Sequence, residues 1–160
     1  MPKCEITNLG IHLKVADIER SRVFYESLGF KIDVAFGNKE FLETFPAGVR
    51  TAPEQYRGIS FKIGDNVQFE IDEGHPAVKD KKVFKERITS PKVSAIIQVK
   101  SLVPLFNNPL VEITFPVRHY HWGTIEAAFR DPDGFVLVFV AGYSEEEFEK
   151  VSQFREIETV

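Results

Sequence analysis

Alternating apolar and polar residues predict a β-strand over residues 8–16, because successive side chains of a strand point to opposite faces. One face carries Leu9, Ile11, Leu13 and Val15, and the other carries His12 and Lys14. A helix is predicted next, since the carboxylate of Asp17 can accept from the free backbone N–H groups of a first turn. Its buried stripe, at helical spacing, consists of Ile18, Ser21, Phe24, Tyr25 and Leu28. Gly29 is placed to end this helix in the left-handed conformation.

The pattern returns to strands after this helix. Residues 30–37 form a second predicted strand, and residues 57–63 and 67–72 form two more, joined by a turn at residues 64–66. The segment between them, residues 38–56, is less regular because Pro46, Gly48 and Pro53 interrupt it. The first module, about residues 8–74, is therefore predicted to be βαβββ.

The second half of the chain repeats the first. With an offset of 84, residues 92–100 match the first strand and Ser101 takes the N-cap position of Asp17. The helix that follows is predicted to be short, residues 101–108, because Pro104 and Pro109 break it. With an offset of 68, residues 61–66 overlay residues 129–134, and both segments end in a turn before a strand. The repeat predicts a second module, about residues 92–142, within one domain whose two halves need each other for burial.

Two segments lie outside the repeat. Residues 75–91 are rich in lysine and are predicted to be a solvated linker. A C-terminal helix is predicted over residues 144–158, with Ser144 as N-cap and Glu147 completing a capping box. Its inward residues are expected to be Phe148, Val151 and Phe154.

Composition narrows the class of protein. The chain has 160 residues, 15 Phe and a net charge of −4, so it has material for a core but no basic field for nucleic acid. Cys4 is its only cysteine, so neither an internal disulfide nor a thiolate metal cluster can form. No signal peptide and no apolar run of membrane-spanning length are visible. We therefore expect a cytoplasmic protein with neither a membrane nor nucleic acid as its partner.

Two motifs resemble the vicinal-oxygen-chelate superfamily, which includes glyoxalases, bleomycin resistance proteins and extradiol dioxygenases. The first is Ile-His-Leu-Lys-Val-Ala-Asp at residues 11–17, followed by Phe-Tyr-Glu-Ser-Leu-Gly-Phe at residues 24–30. The second is the run at residues 122–134, which begins Trp-Gly and ends Asp-Pro-Asp-Gly. The resemblance covers about residues 8–142. It implies an α+β fold in which two βαβββ modules form curled mixed sheets around a cavity, and it implies a homodimer.

The resemblance also places a metal site, because metal-dependent relatives take ligands from the first and fourth strands of each module. His12 and Glu70 stand at the two positions of the first module and are suitable ligands for a divalent metal ion. The offsets place Ile96 and Val138 at the equivalent positions of the second module, and neither can donate a lone pair. The predicted metal site is therefore incomplete, and the four residues together are predicted to bind the ligand.

Further candidates lie before and within the second motif. His119 and His121 share a face if this stretch is extended, and either could supply a missing ligand. The favoured interpretation is that they are hydrogen-bonding or exposed histidines at the end of a strand. Trp122 is predicted to line the cavity, and His119, His121 and Trp122 complete the set of predicted ligand-binding residues.

Three hypotheses for function remain open. In the first, which we favour, the protein binds a small molecule, aromatic or cationic, and uses no metal. In the second, it is a metal-dependent isomerase, lyase or dioxygenase that uses His12, Glu70 and a third ligand, with the ion as Lewis acid. In the third, it is a non-catalytic scaffold that binds a partner through residues 74–91 and 144–158.

Overall fold

The computed structural model describes residues 8–64 and 67–160. Cys4 and the predicted turn residues Asp65 and Asn66 lie outside these ranges. The chain divides into two compact units, Met1–Glu86 and Arg87–Val160, with the boundary inside the predicted linker. None of the helices in the described ranges is long and apolar enough to cross a membrane.

The first unit contains one mixed sheet with helices beside it. Its elements are β1 (Gly10–Lys14), α1 (Ile18–Ser27), β2 (Lys31–Gly37), α2 (Lys39–Leu42), β3 (Arg50–Pro53), β4 (Gly58–Ile63) and β5 (Val67–Asp72). The strand order among the described residues is β1-β5-β4-β2-β3. The predicted strands and helix are thus present. The segment at residues 38–56 is more regular than predicted, because Asn38 caps α2 and the chain then pairs β3 in parallel with β2.

Helix α1 packs against the covered face of the first sheet. The Asp17 side chain accepts from the backbone N–H of Arg20, as its N-cap position predicts, and Gly29 ends the helix with φ of 91°. Tyr25 is fully buried, and its ring lies 4.8 Å from that of Phe69 and 5.9 Å from that of Phe61. This aromatic core leaves the other face of the sheet for polar residues.

The second unit has a similar sheet. Its elements are β6 (Ser94–Gln98), α3 (Val103–Phe106), β7 (Val117–Tyr120), β8 (Thr124–Arg130), β9 (Val136–Gly142), α4 (Glu145–Ser152) and β10 (Ile157–Thr159). The strand order in the described part of the chain is β10-β7-β8-β9-β6. Both units therefore have α+β architecture, and the predicted βαβββ pattern is confirmed in each.

Strand pairing confirms the internal repeat down to single residues. Ser60 pairs with Glu70 between β4 and β5, and the offset of 68 carries this pair onto Ala128 and Val138, which pair between β8 and β9. Each sheet also ends in a strand parallel to its neighbour, β3 beside β2 and β10 beside β7. These two edge strands come from different places in the chain, which is why the offsets did not predict them.

The C-terminal segment differs from its prediction. Helix α4 ends at Ser152 instead of residue 158, and the chain continues as β10 because its backbone pairs with β7. Phe154 is 46% exposed instead of inward, although its ring stacks on that of Phe106. Ser144 does cap α4 through the N–H of Glu147.

Helix α3 also begins differently from its prediction. The structure starts it at Val103 with Leu102 as N-cap, so Ser101 is not the N-cap residue. Pro104 lies in the first turn, where a helix tolerates proline because that N–H has no partner inside the helix. The Glu147 carboxylate accepts from the backbone N–H of Leu102 at 2.6 Å and from the Ser101 hydroxyl at 3.1 Å, in place of the predicted capping box.

The predicted linker is exposed through most of its length. A 3-10 turn, Val83–Lys85, interrupts it. Its last residues belong to the second unit and bond within it: Ile88 N–H donates to the Asp133 carbonyl at 2.7 Å, and Arg130 donates to the Thr89 carbonyl at 2.9 Å. The Asp-Pro-Asp-Gly turn thus anchors the chain as it enters this unit.

Candidate functional site

The candidate site lies on the open face of the first sheet, the face opposite α1. His12 on β1 pairs with Glu70 on β5, and Glu70 pairs with Ser60 on β4. Residues that pair directly across neighbouring strands share a face, so these three side chains lie side by side. Lys14 and Asp72 form the next pair of the same register, two residues further along each strand, and they lie on this face as well.

Three donor atoms converge there. The His12 Nε2 atom lies 3.3 Å from Glu70 Oε1 and contacts Asp72 Oδ2, and all three donors lie within 4.8 Å of one another. Asp72 is 1% exposed, and its other oxygen accepts from the Gly74 N–H at 2.6 Å. Asp72 was not among the donors predicted from the sequence. The signal was its position two residues after Glu70 on an alternating strand.

Lys14 lies within this cluster. Its Nζ atom is 2.6 Å from His12 Nε2 and 2.9 Å from Asp72 Oδ2. Zn²⁺ binds imidazole nitrogen at about 2.0–2.1 Å and carboxylate oxygen at about 2.0–2.2 Å, so an ion on these two atoms would overlap the ammonium group. With Lys14 in this position, His12, Glu70 and Asp72 do not fit a divalent ion.

Aromatic rings border the cluster. The Tyr56 ring lies 5.3 Å from that of Phe36 and 5.2 Å from that of His75. Phe36 extends over Gly58, where an added Cβ would overlap its ring, so only glycine leaves room for this packing. Burial raises the pKa of the Tyr56 hydroxyl, and the Asp72 carboxylate raises it further. The side chains of Phe36, Tyr56 and His75 therefore form one edge of the polar cluster.

Ser60 has an unusual environment beside Glu70. It is 4% exposed, and its hydroxyl has no hydrogen-bond partner within residues 8–64 and 67–160. A buried hydroxyl without a partner loses its bonds to water and gains nothing in exchange. Sequence reasoning did not single out Ser60, because burial without a partner has no signature in the sequence.

The open face of the second sheet is apolar at the equivalent positions. Ile96 on β6 pairs with Val138 on β9, as His12 pairs with Glu70. Ile96 is 71% exposed, and Val138 belongs to a depression of about 190 Å³. The depression is lined by Phe115, Pro116, Arg118, Tyr120, Glu126, Ala128 and Val138.

The other predicted site residues, His119, His121 and Trp122, lie at the end of β7 and just after it. His119 pairs with Ile125, on the covered face, and its ring stacks on that of Tyr143 at 4.2 Å. His121 is exposed and follows the strand, so the stretch is not extended through both histidines, which was the condition for a shared face. Trp122 is 59% exposed and stacks on Tyr120, with ring centroids 4.3 Å apart. Tyr120 lines the depression, so Trp122 lies directly beside it.

Solved structures resemble the chain over most of its length. A glyoxalase/bleomycin resistance protein/dioxygenase from Nocardioides is 19% identical, with a TM-score of 0.51, over 91% of this chain and 87% of its own. A bleomycin resistance determinant encoded on transposon Tn5 is 19% identical, with a TM-score of 0.52, over 87% of this chain and 100% of its own. The fold is the vicinal-oxygen-chelate fold. TnmS3, an antibiotic binding protein from Streptomyces sp. CB03234, also has it, at 16% identity and a TM-score of 0.55, over 89% of this chain and 100% of its own.

The comparisons identify the vicinal-oxygen-chelate fold and not an activity. No protein-family model matches the chain, and no curated protein matches it. Proteins of this fold at such low identity share an architecture, while function depends on the individual side chains of the site. The chemistry of the site therefore depends on the side chains of this chain itself.

Proposed function

We propose that this protein binds a small aromatic or cationic molecule at the open faces of its sheets and does so without a metal ion. The observation that carries the proposal is the pairing of Ile96 with Val138 at the positions that correspond to His12 and Glu70. An apolar pair there adds contact area for a ligand and offers no donor atom to a metal ion. Small-molecule binding, a homodimer and a cytoplasmic location remain predictions.

The surroundings favour a ligand with both flat and cationic parts. Tyr56 and Phe36 present rings next to the carboxylates of Glu70 and Asp72, a combination that attracts an organic cation. In the second unit, Tyr120 lines the depression and the exposed indole of Trp122 lies beside it, where both can stack on a planar group. A bleomycin resistance determinant and an antibiotic binding protein are among the similar structures, which is consistent with this class of ligand.

A second candidate function is a metal-dependent enzyme, and one observation favours it. Asp72 joins His12 and Glu70 as a third donor, and catalytic zinc sites use three protein ligands plus water. This candidate differs from the sequence-based version, in which His119 or His121 was the third ligand. It requires Lys14 to leave its position between His12 and Asp72.

Metal content separates the two candidates. The protein is purified without an affinity tag, incubated with Zn²⁺, Mn²⁺, Ni²⁺ or Fe²⁺, dialysed and measured by elemental analysis, together with His12→Ala. We expect no stoichiometric metal in either protein. One metal ion per chain in the wild type and none in His12→Ala would overturn the metal-free proposal.

Ligand binding is measured with the single tryptophan as reporter. Metal-free bleomycin and ethidium, a planar aromatic cation, are titrated while the fluorescence of Trp122 and the heat of binding are followed. We expect saturable binding that Val138→Lys weakens, because this change puts a positive charge into the depression and repels both cationic probes. Val93→Lys, at a 67% exposed position outside the depression, is the matched control and should bind as the wild type does. No saturable binding of either probe, or equal weakening by both variants, would contradict the proposed site.

A further inference from the structure

We infer that Lys14 is a tethered cation that keeps divalent metal ions out of the His12–Glu70–Asp72 cluster. This inference rests on the proposed metal-free function and deepens it, since it names the residue that decides metal selectivity. The donors themselves are of the right kind and lie close together, so their chemistry alone does not explain a metal-free site.

The position of Lys14 follows from the strand. It lies two residues after His12 on β1, so both side chains leave the same face, and the strand pairing sets Asp72 directly opposite Lys14. The ammonium group contacts the same two atoms, His12 Nε2 and Asp72 Oδ2, that a metal would use. Metal and ammonium would overlap and repel each other, so one must leave before the other binds.

Charge balance explains why a cation is present there at all. Asp72 is 1% exposed, and a buried carboxylate is strongly destabilising unless a positive charge or hydrogen bonds compensate it. Lys14, with a 27% exposed side chain, supplies that charge at 2.9 Å and keeps its stem along the sheet. A metal ion could supply the same charge, so Lys14 and the ion are alternative partners of one carboxylate.

Lys14 competes effectively with free metal ions for Asp72 because it is part of the same chain. The ammonium is held within bonding distance by its own backbone, so its effective concentration at Asp72 does not depend on what the solution contains. A free ion must displace it and also lose its own bound water. We therefore expect the removal of Lys14 to raise metal affinity by about 100-fold or more, the low end of what such linkage supplies.

The test is a gain of metal binding. Lys14→Met keeps the stem of the side chain and removes its charge, and Lys14→Gln is a second variant in case the first folds poorly. We expect each to bind one Co²⁺ or Zn²⁺ per chain, with a Co²⁺ absorption spectrum typical of nitrogen and oxygen ligands. Adding Asp72→Asn to Lys14→Met should abolish that binding. Lys62→Met is the matched control, because Lys62 is an exposed lysine on β4 that, among the described residues, makes no hydrogen bond or ion pair with His12, Glu70 or Asp72; it should stay metal-free.

The outcomes separate this inference from the proposed function. If the wild type binds no metal and both folded Lys14 variants also bind none, the inference fails while the metal-free proposal stands. If the wild type already binds one ion per chain as tightly as Lys14→Met does, both fail. Metal uptake by Lys62→Met equal to that of Lys14→Met would also overturn the inference, since the effect would then be one of general charge. Circular dichroism checks the folding of each variant.

Discussion

Replacing Ser60 with alanine should stabilise this protein. The Ser60 hydroxyl is buried with no partner in the parts of the chain that the structure describes, so its removal breaks no hydrogen bond. Leaving a buried polar group without a partner costs about 1–3 kcal/mol. The small void left by one oxygen atom offsets part of that gain. We therefore expect Ser60→Ala to raise the free energy of unfolding by about 1 kcal/mol, or the melting temperature by about 2–4 °C for a chain of this size.

The assay is urea unfolding followed by circular dichroism, with calorimetry for the melting temperature. Ser21→Ala is the matched control, since Ser21 is also buried but does have an interaction partner. That variant should be destabilised. A loss of stability in Ser60→Ala would refute the reasoning, because it would mean that the hydroxyl is bonded, for example to a buried water.

Ser60→Ala also tests the site. Ser60 shares the open face with Glu70, and its buried hydroxyl has no partner among the described residues. If the hydroxyl contacts the ligand, the variant should be more stable yet bind bleomycin or ethidium more weakly. Equal binding with greater stability would assign Ser60 no part in recognition.

Two further predictions concern stability outside the site. Glu147→Ala should lower the free energy of unfolding by about 2–3 kcal/mol, because it leaves the buried N–H of Leu102 without its charged acceptor. The same change at exposed Glu145 should alter that free energy by less than about 0.5 kcal/mol. Equal effects of the two variants in urea unfolding would contradict this prediction. Gly134→Ala should be much more destabilising than Gly29→Ala in thermal melts. Both glycines have positive φ, but of the two only Gly134 would place the added Cβ on a backbone carbonyl oxygen. Similar melting temperatures of the two variants would contradict this prediction.

Much of the fold follows from local patterns in the sequence. Period-two alternation set which side chains of each strand share a face. The resemblance placed His12 and Glu70 at corresponding positions of two strands, and the two offsets carried them onto Ile96 and Val138; the structure pairs His12 with Glu70 and Ile96 with Val138. The caps at Asp17 and Ser144 were equally predictable, because an N-cap depends on a few adjacent residues. Whether any of these residues binds a ligand stays a prediction.

The rest depended on contacts between distant parts of the chain. The short strands β3 and β10 are strands only because a partner strand supplies their hydrogen bonds, which no local pattern reveals. Glu147 bonds across to Leu102 because packing brings α4 to the start of α3. In the sequence, Asp72 is only a polar residue at the end of a strand. Strand register and burial make it a buried donor that contacts Lys14. The sequence alone determined which side chains share a face, and the tertiary structure decided which of them meet and how far water is excluded from them.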